Sequence, residues 1–72
     1  MTVTKEEMVK TKITLLKQMH QYIIDLGDEF LYEWWITEGV CDEPDEDFFQ
    51  EVAEDDDCWV EICSLFGKIV NY

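Results

Sequence analysis

Cys58–Asn71 reads CWVEICSLFGKIVN, and whether it forms a strand or a helix decides the fold class of the chain. As a strand, Cys58, Val60, Ile62, Ser64 and Phe66 would alternate with Trp59, Glu61, Cys63 and Leu65. As a helix, at about 100° per residue, Trp59, Ile62, Cys63, Phe66, Ile69 and Val70 gather on one stripe. Glu61, Ser64, Lys68 and Asn71 then share the opposite side. The helical template sorts apolar from polar better, so a helix is expected from about Cys58 to Asn71. Gly67 within it costs up to about 1 kcal/mol relative to Ala and is a point where the helix can bend.

Working back from this segment, Asp55-Asp56-Asp57 reads as a turn, one of whose aspartates caps the last helix. Before it, a helix starts at Pro44 or Asp45 and runs to about Glu54, with acids crowding the first turn, where the helix dipole favours them. Val40 to Pro44 is a loop. Asp28 is a fair N-cap for a helix that ends near Glu38, before Gly39. Thr4-Lys5-Glu6-Glu7 fits a capping box, which starts a helix running to about Leu26, with Gly27 as its left-handed stop. The expectation is an all-α fold: a compact bundle of three or four helices, the first longest, in a single acidic domain spanning residues 1–72.

Seventy-two residues suffice for one domain. A chain of this size buries only about 60% of the surface it exposes when unfolded, so its stability is marginal. Ten aromatics offset that, each able to bury roughly 150–250 Å². No run reaches the roughly 18 apolar residues of a membrane span. Glu6 and Glu7 sit where a signal peptide would need an apolar run. Cys41, Cys58 and Cys63 cannot all pair within one chain, and on a helix Cys58 and Cys63 point about 140° apart. They are expected to be reduced thiols in a cytoplasmic protein, serving as small core hydrophobes.

The charge is lopsided. Residues 1–24 hold four lysines against two glutamates, whereas residues 25–72 hold sixteen acids against Lys68, within a net charge of −13. Such a field repels nucleic acid and anionic membranes and attracts basic surfaces. Asp42, Glu43, Asp45, Glu46, Asp47, Glu51, Glu54, Asp55, Asp56 and Asp57 place ten carboxylates within sixteen residues. On the helix there, Phe48, Phe49, Val52 and Ala53 face one way and Glu46, Asp47, Glu51 and Glu54 the other. Carboxylates one turn apart are spaced by about 5.4 Å along the axis, comparable to phosphates along a nucleic-acid strand. A solvated face that keeps the protein dispersed is the plainer reading of the same run.

Other chemistries find less support. An EF-hand loop started at Asp42, Asp45 or Asp55 places Pro44, Phe49 or Trp59 where an oxygen ligand belongs. Cys41, Cys58, Cys63 and His20 include no C-x-x-C pair for zinc. No phosphate loop and no nucleophile beside a base is recognisable, so neither an enzyme nor a cofactor or metal site is expected. His20 falls at the edge of an apolar helix face and needs no functional role.

Two further features bear on partners. In the first helix, Met8, Val9, Ile13, Leu15, Leu16, Met19, Tyr22, Ile23, Ile24 and Leu26 cover roughly 200° of the circumference, where a surface helix needs little more than 100°. Either the other helices wrap it on two sides, or a second chain covers part of it. In the second helix, Phe30, Leu31, Trp34 and Trp35 form one stripe, and Tyr32 and Ile36 fall outside it. Tyr32, Ile36 and one of Trp34 and Trp35 are candidate contact residues, because Trp and Tyr dominate binding interfaces. In size, charge and aromatic content the chain resembles the phage- and mobile-element-encoded inhibitors that occupy nucleic-acid-binding grooves of host nucleases, CRISPR effectors or repair enzymes. That resemblance implies a stoichiometric inhibitor mimicking DNA or RNA on a basic protein. The alternative is a homodimeric interaction module built on the first helix.

With so many acids unrelieved, melting temperature is expected to rise with added salt between about 10 and 200 mM, as screening relaxes the self-repulsion. Thermal denaturation across that range checks it; an indifferent melting temperature would mean that the acids are better dispersed than their clustering suggests.

Overall fold

Four side-chain caps mark where the helices begin in the computed structural model, which describes residues 3–72. The Thr4 hydroxyl accepts from the Glu7 amide at 3.2 Å and opens α1, Lys5–Leu26. The Asp28 carboxylate accepts from the Leu31 amide at 3.2 Å and opens α2, Glu29–Glu38. Asp45 accepts from the Phe48 amide at 2.8 Å and opens α3, Glu46–Glu54. Asp55 accepts from the amides of Asp57 and Cys58 at 3.0 and 3.2 Å and opens α4, Asp56–Val70. Each cap satisfies amides that a helix start leaves without a partner. The described residues contain no strand, and the fold is an all-α bundle with its first helix longest.

The expected turn over Asp55-Asp56-Asp57 is shorter than its sequence suggests. Asp55 closes α3, its amide donating to the Glu51 carbonyl at 3.1 Å, and caps α4 with its side chain. One residue thus serves both helices, and Asp56 and Asp57 enter the first turn of α4. At the end of α1, Gly27 takes φ 69°, the left-handed conformation that side chains with a Cβ resist.

α1 packs on α3 and α2, and α4 packs on the same two helices. The core between them comprises Leu16 and Ile23 of α1, Trp35 of α2, Val40 of the following loop, Phe49, Val52 and Ala53 of α3, and Ile62, Leu65 and Ile69 of α4. Trp35 joins most of these parts. Its ring is fully buried, and its indole N–H donates to His20 Nδ1 on α1 at 3.1 Å. It meets Phe66 of α4 edge-on at 5.8 Å. Its carbonyl accepts from the amides of Gly39 and Val40 at 2.9 and 3.0 Å, turning the chain into the loop.

Three sequence expectations are corrected. The buried stripe of α4 includes Leu65, while Val70 is exposed. The stripe is rotated because α2 and its terminal Gly39 press on the Leu65 side: a Cβ on Gly39 would lie 2.8 Å from Leu65 Cδ2. Secondly, the other helices cover the wide apolar face of α1 incompletely, since Leu16 and Ile23 are its buried residues while Met8, Leu15, Tyr22, Ile24 and Leu26 remain exposed. Thirdly, all three cysteines are free thiols, but Cys41 and Cys58 are exposed and Cys63 half-buried, so they are not core residues.

Two glycine substitutions separate close packing from helix propensity. Gly39→Ala would push Leu65 within the core and is expected to destabilise by about 1–3 kcal/mol. Gly67→Ala meets nothing within 4 Å and should stabilise α4 by up to about 1 kcal/mol. Thermal melts should therefore move in opposite directions, by about 4–8 °C per kcal/mol in a domain of this size.

Candidate functional site

The carboxylates predicted as a contact surface are all exposed, yet the fold uses them unequally. Asp45 and Asp55 are caps. Glu46 pairs with Lys17 of α1, and Asp56 lies 3.5 Å from Lys12 of the same helix. Asp42 accepts a hydrogen bond from the Tyr32 hydroxyl, which ties the loop after α2 back to that helix. Glu54 accepts from Gln50 at 2.9 Å and lies along a groove with Lys5 and Lys10. Among the described residues, Glu43, Asp47, Glu51 and Asp57 show no side-chain hydrogen bond or ion pair, and they carry the uncommitted charge of the run.

The structure gathers part of this charge into a groove where the end of α2 meets α3 and α4. Glu38, Glu51, Asp55 and Glu61 stand along it; Val52 and Ile62 form a buried apolar floor, with Phe48 half-buried beside them. Of the four acids, Glu51 and Asp55 belong to the predicted run. Glu38 and Glu61 do not: they come from helices on either side and are brought in only by tertiary packing. Their sequence signals are slight, namely that Glu38 precedes the Gly39 stop and Glu61 sits on the polar side of α4.

Glu38 also borders a second surface. Phe30, Trp34 and Tyr72 form an open aromatic cluster with ring centroids 5.7 to 6.4 Å apart, beside Glu33, Thr37 and Glu38. Trp34, Glu38 and Glu61 line a further depression with Val60 and Lys68, so acidic groove and aromatic cluster form one continuous face. Phe30 is 61% exposed and Tyr72 81%. Of the two tryptophans, Trp34 is half-buried in this cluster, whereas Trp35 is fully buried and has no surface to offer a partner. Tyr32 is engaged with Asp42, and Ile36 is half-buried against the core and lines neither surface. Phe30 and Tyr72 are exposed members of this cluster that the sequence did not single out.

The groove presents negative charge along its walls. Among the described residues no three His, Cys, Asp or Glu side chains gather as a metal-binding group, so the charge is spread along the surface. The Cys58 thiol at the groove is held above its ordinary range, by desolvation first and then by the Asp55, Glu61 and Asp57 carboxylates. Cys63 is raised by burial, with Lys12 opposing. Both thiols therefore stay protonated, the unreactive form. No family model matches the chain, and no curated protein or solved structure matches it.

His20 gives the fold a pH dependence. Its Nδ1 accepts from the Trp35 indole, which requires a neutral ring protonated on Nε2. Burial lowers its pKa from 6.5, with the Asp42 carboxylate partly opposing. The unfolded chain therefore takes up the proton first on acidification. The stability that the neutral ring contributes is complete above about pH 6.5 and is lost as pH falls through the lower folded value. In His20→Asn an amide oxygen can take the place of Nδ1 without titrating. The stability difference between wild type and this variant, followed by chemical denaturation between about pH 7.5 and 5, should move against the wild type as pH falls.

Proposed function

We propose that this protein is a small acidic binding protein that occupies the basic, nucleic-acid-binding surface of another protein, as a stoichiometric inhibitor of the phage or mobile-element kind acting in the host cytoplasm. The observation that carries the reading is the continuity of the carboxylate-lined groove with the aromatic cluster. Glu38, Glu51, Asp55 and Glu61 offer spread negative charge, as a phosphate backbone does, and Phe30, Trp34 and Tyr72 adjoin them as unburied rings. Nucleic-acid-binding surfaces combine Lys and Arg with groups that stack on flat rings. A face offering carboxylates beside aromatics answers both halves of that chemistry. The net charge of −13 adds long-range steering toward a basic partner.

A binding role rather than catalysis also suits the groups on hand. The single histidine has one nitrogen committed to Trp35, and the Cys58 and Cys63 thiols are held protonated. No helix of the described residues is long and apolar enough to cross a membrane.

The test uses charge reversal where the fold does not need the charge. Glu38→Lys, Glu51→Lys and Glu61→Lys change exposed helical residues to one of similar propensity, whereas Asp45 and Asp55 must be kept as caps. Immobilised wild-type protein in an extract of its host cell should retain nucleic-acid-binding proteins. Added DNA or RNA should release them, and so should salt. The triple variant should bind the retained protein at least about a hundredfold more weakly, with an unchanged circular dichroism spectrum. Retention indifferent both to nucleic acid and to the triple reversal would overturn the reading.

A further inference from the structure

The acids leave one side of the molecule free, and it is an apolar side. Along α1, Met8, Lys12, Leu15, Met19, Tyr22 and Leu26 follow alternating steps of four and three residues, the 3.5-residue repeat of a helix seam. Met8, Leu15, Tyr22 and Leu26 are exposed and Met19 is half-buried. The centre of this seam lies about 60–80° from Leu16 and Ile23, so Met19 packs partly against the core while most of the seam faces outward. It continues onto α4, where Trp59, Cys63, Phe66 and Val70 repeat the same steps. The two helices meet there through side chains: Tyr22 touches Phe66 edge-on at 5.7 Å, and Lys12 Nζ lies 5.3 Å from the centre of the Trp59 ring.

Charge says what can cover this face. Its other border on α1 is Thr4, Thr11 and Gln18, all exposed and uncharged. Within the face, Lys12 and Asp56 are paired with each other. Glu7 and Asp25 fall at the rim, about 180° from Leu16 on the helix. α3 lies on the other side of α1, where Lys17 meets Glu46 and Lys5 and Lys10 border Gln50 and Glu54. A molecule of net charge −13 can approach its own copy closely only where its carboxylates are few or paired, and this face, whose internal carboxylate Asp56 is paired with Lys12, meets that condition. A basic partner would be drawn to the opposite side instead.

We infer that two copies of this chain associate through the α1–α4 face, in a two-fold arrangement that leaves both acidic grooves pointing outward. A two-fold axis makes the same patch serve both partners, as a face whose internal charges already cancel allows. The seam is about 27 Å long on α1 and about 17 Å on α4. Two helix widths over those lengths fall short of the roughly 800 Å² per partner of a standard interface, a size that suits a reversible dimer. The inference is independent of the reading of the acidic groove.

Sedimentation equilibrium of the full chain, from about 1 µM to 1 mM, should show a monomer–dimer equilibrium that added salt strengthens. Basic-partner binding responds to salt in the opposite sense, so failure of one proposal is distinguishable from failure of the other. Leu15→Lys should weaken dimerisation at least about tenfold. Gln18→Glu, which adds a carboxylate at an exposed polar position that the fold does not use, should weaken it in the same direction even if Leu15→Lys fails to fold. Phe30→Lys, in the aromatic cluster, should leave the dimer intact. A wild-type monomer across the whole range, or a dimer that survives both Leu15→Lys and Gln18→Glu, would overturn the inference.

Discussion

The burial of Trp35 is the constraint on which the rest of the structure depends. An indole is mostly apolar surface with one N–H that needs an acceptor when buried. His20 supplies it from α1, Phe66 closes on the ring from α4, and the backbone of Trp35 itself turns the chain at Gly39 and Val40. Three helices and a loop are therefore set by one side chain and its own carbonyl. The cost is a fixed tautomer on His20 and a glycine at 39, where any side chain would press on Leu65.

That arrangement also explains how so acidic a chain can close. The lysines of α1 are not dispersed around the helix: Lys12 and Lys17 reach Asp56 and Glu46, so the basic segment lies against the acidic one. Exposed pairs of this kind are each worth less than about 1 kcal/mol, and their greater effect is on where repulsion remains. The carboxylates nearest α1 are partly neutralised, whereas Glu38, Glu51, Asp55 and Glu61, gathered at the other side of α3 and α4, have no lysine paired with them. The field of the molecule consequently has a direction that composition alone does not reveal.

The helices were legible in sequence because their ends are local chemistry. Thr4, Asp28, Asp45 and Asp55 are good caps wherever they occur, and Gly27 stops a helix by its own backbone freedom. The apolar side of α3 was legible too, since Phe49, Val52 and Ala53 alternate cleanly with acids. What could not be read was everything fixed by which helix lies beside which. Leu65 and Val70 are equally apolar, and only the pressure of α2 turns one inward and the other out. Trp34 and Trp35 are adjacent and chemically identical; the acceptor on His20, fifteen residues away, selects Trp35 for the interior. Glu38 and Glu61 carried no mark of a site until packing placed them beside Glu51 and Asp55. The width of the apolar face on α1 was visible, but its meaning depended on how much of it the other helices would cover.

A domain this small has more large apolar side chains than it has interior. Among its ten aromatics, Trp35 and Phe49 are buried, and the others are left half-covered or exposed. These surplus groups are not scattered. Phe30, Trp34 and Tyr72 cluster beside the acidic groove; Tyr22, Phe66 and Trp59 lie along the uncharged seam of α1 and α4. Single exposed apolar residues need no explanation, but contiguous ones are associated with interfaces. The two clusters differ in the charge around them, and charge decides which surfaces each can approach. On the proposed reading, carboxylates beside rings favour a basic surface and disfavour a second copy, while rings and aliphatics without net charge permit the second copy. Surplus apolar area and segregated charge thus resolve one small bundle into two faces of different character.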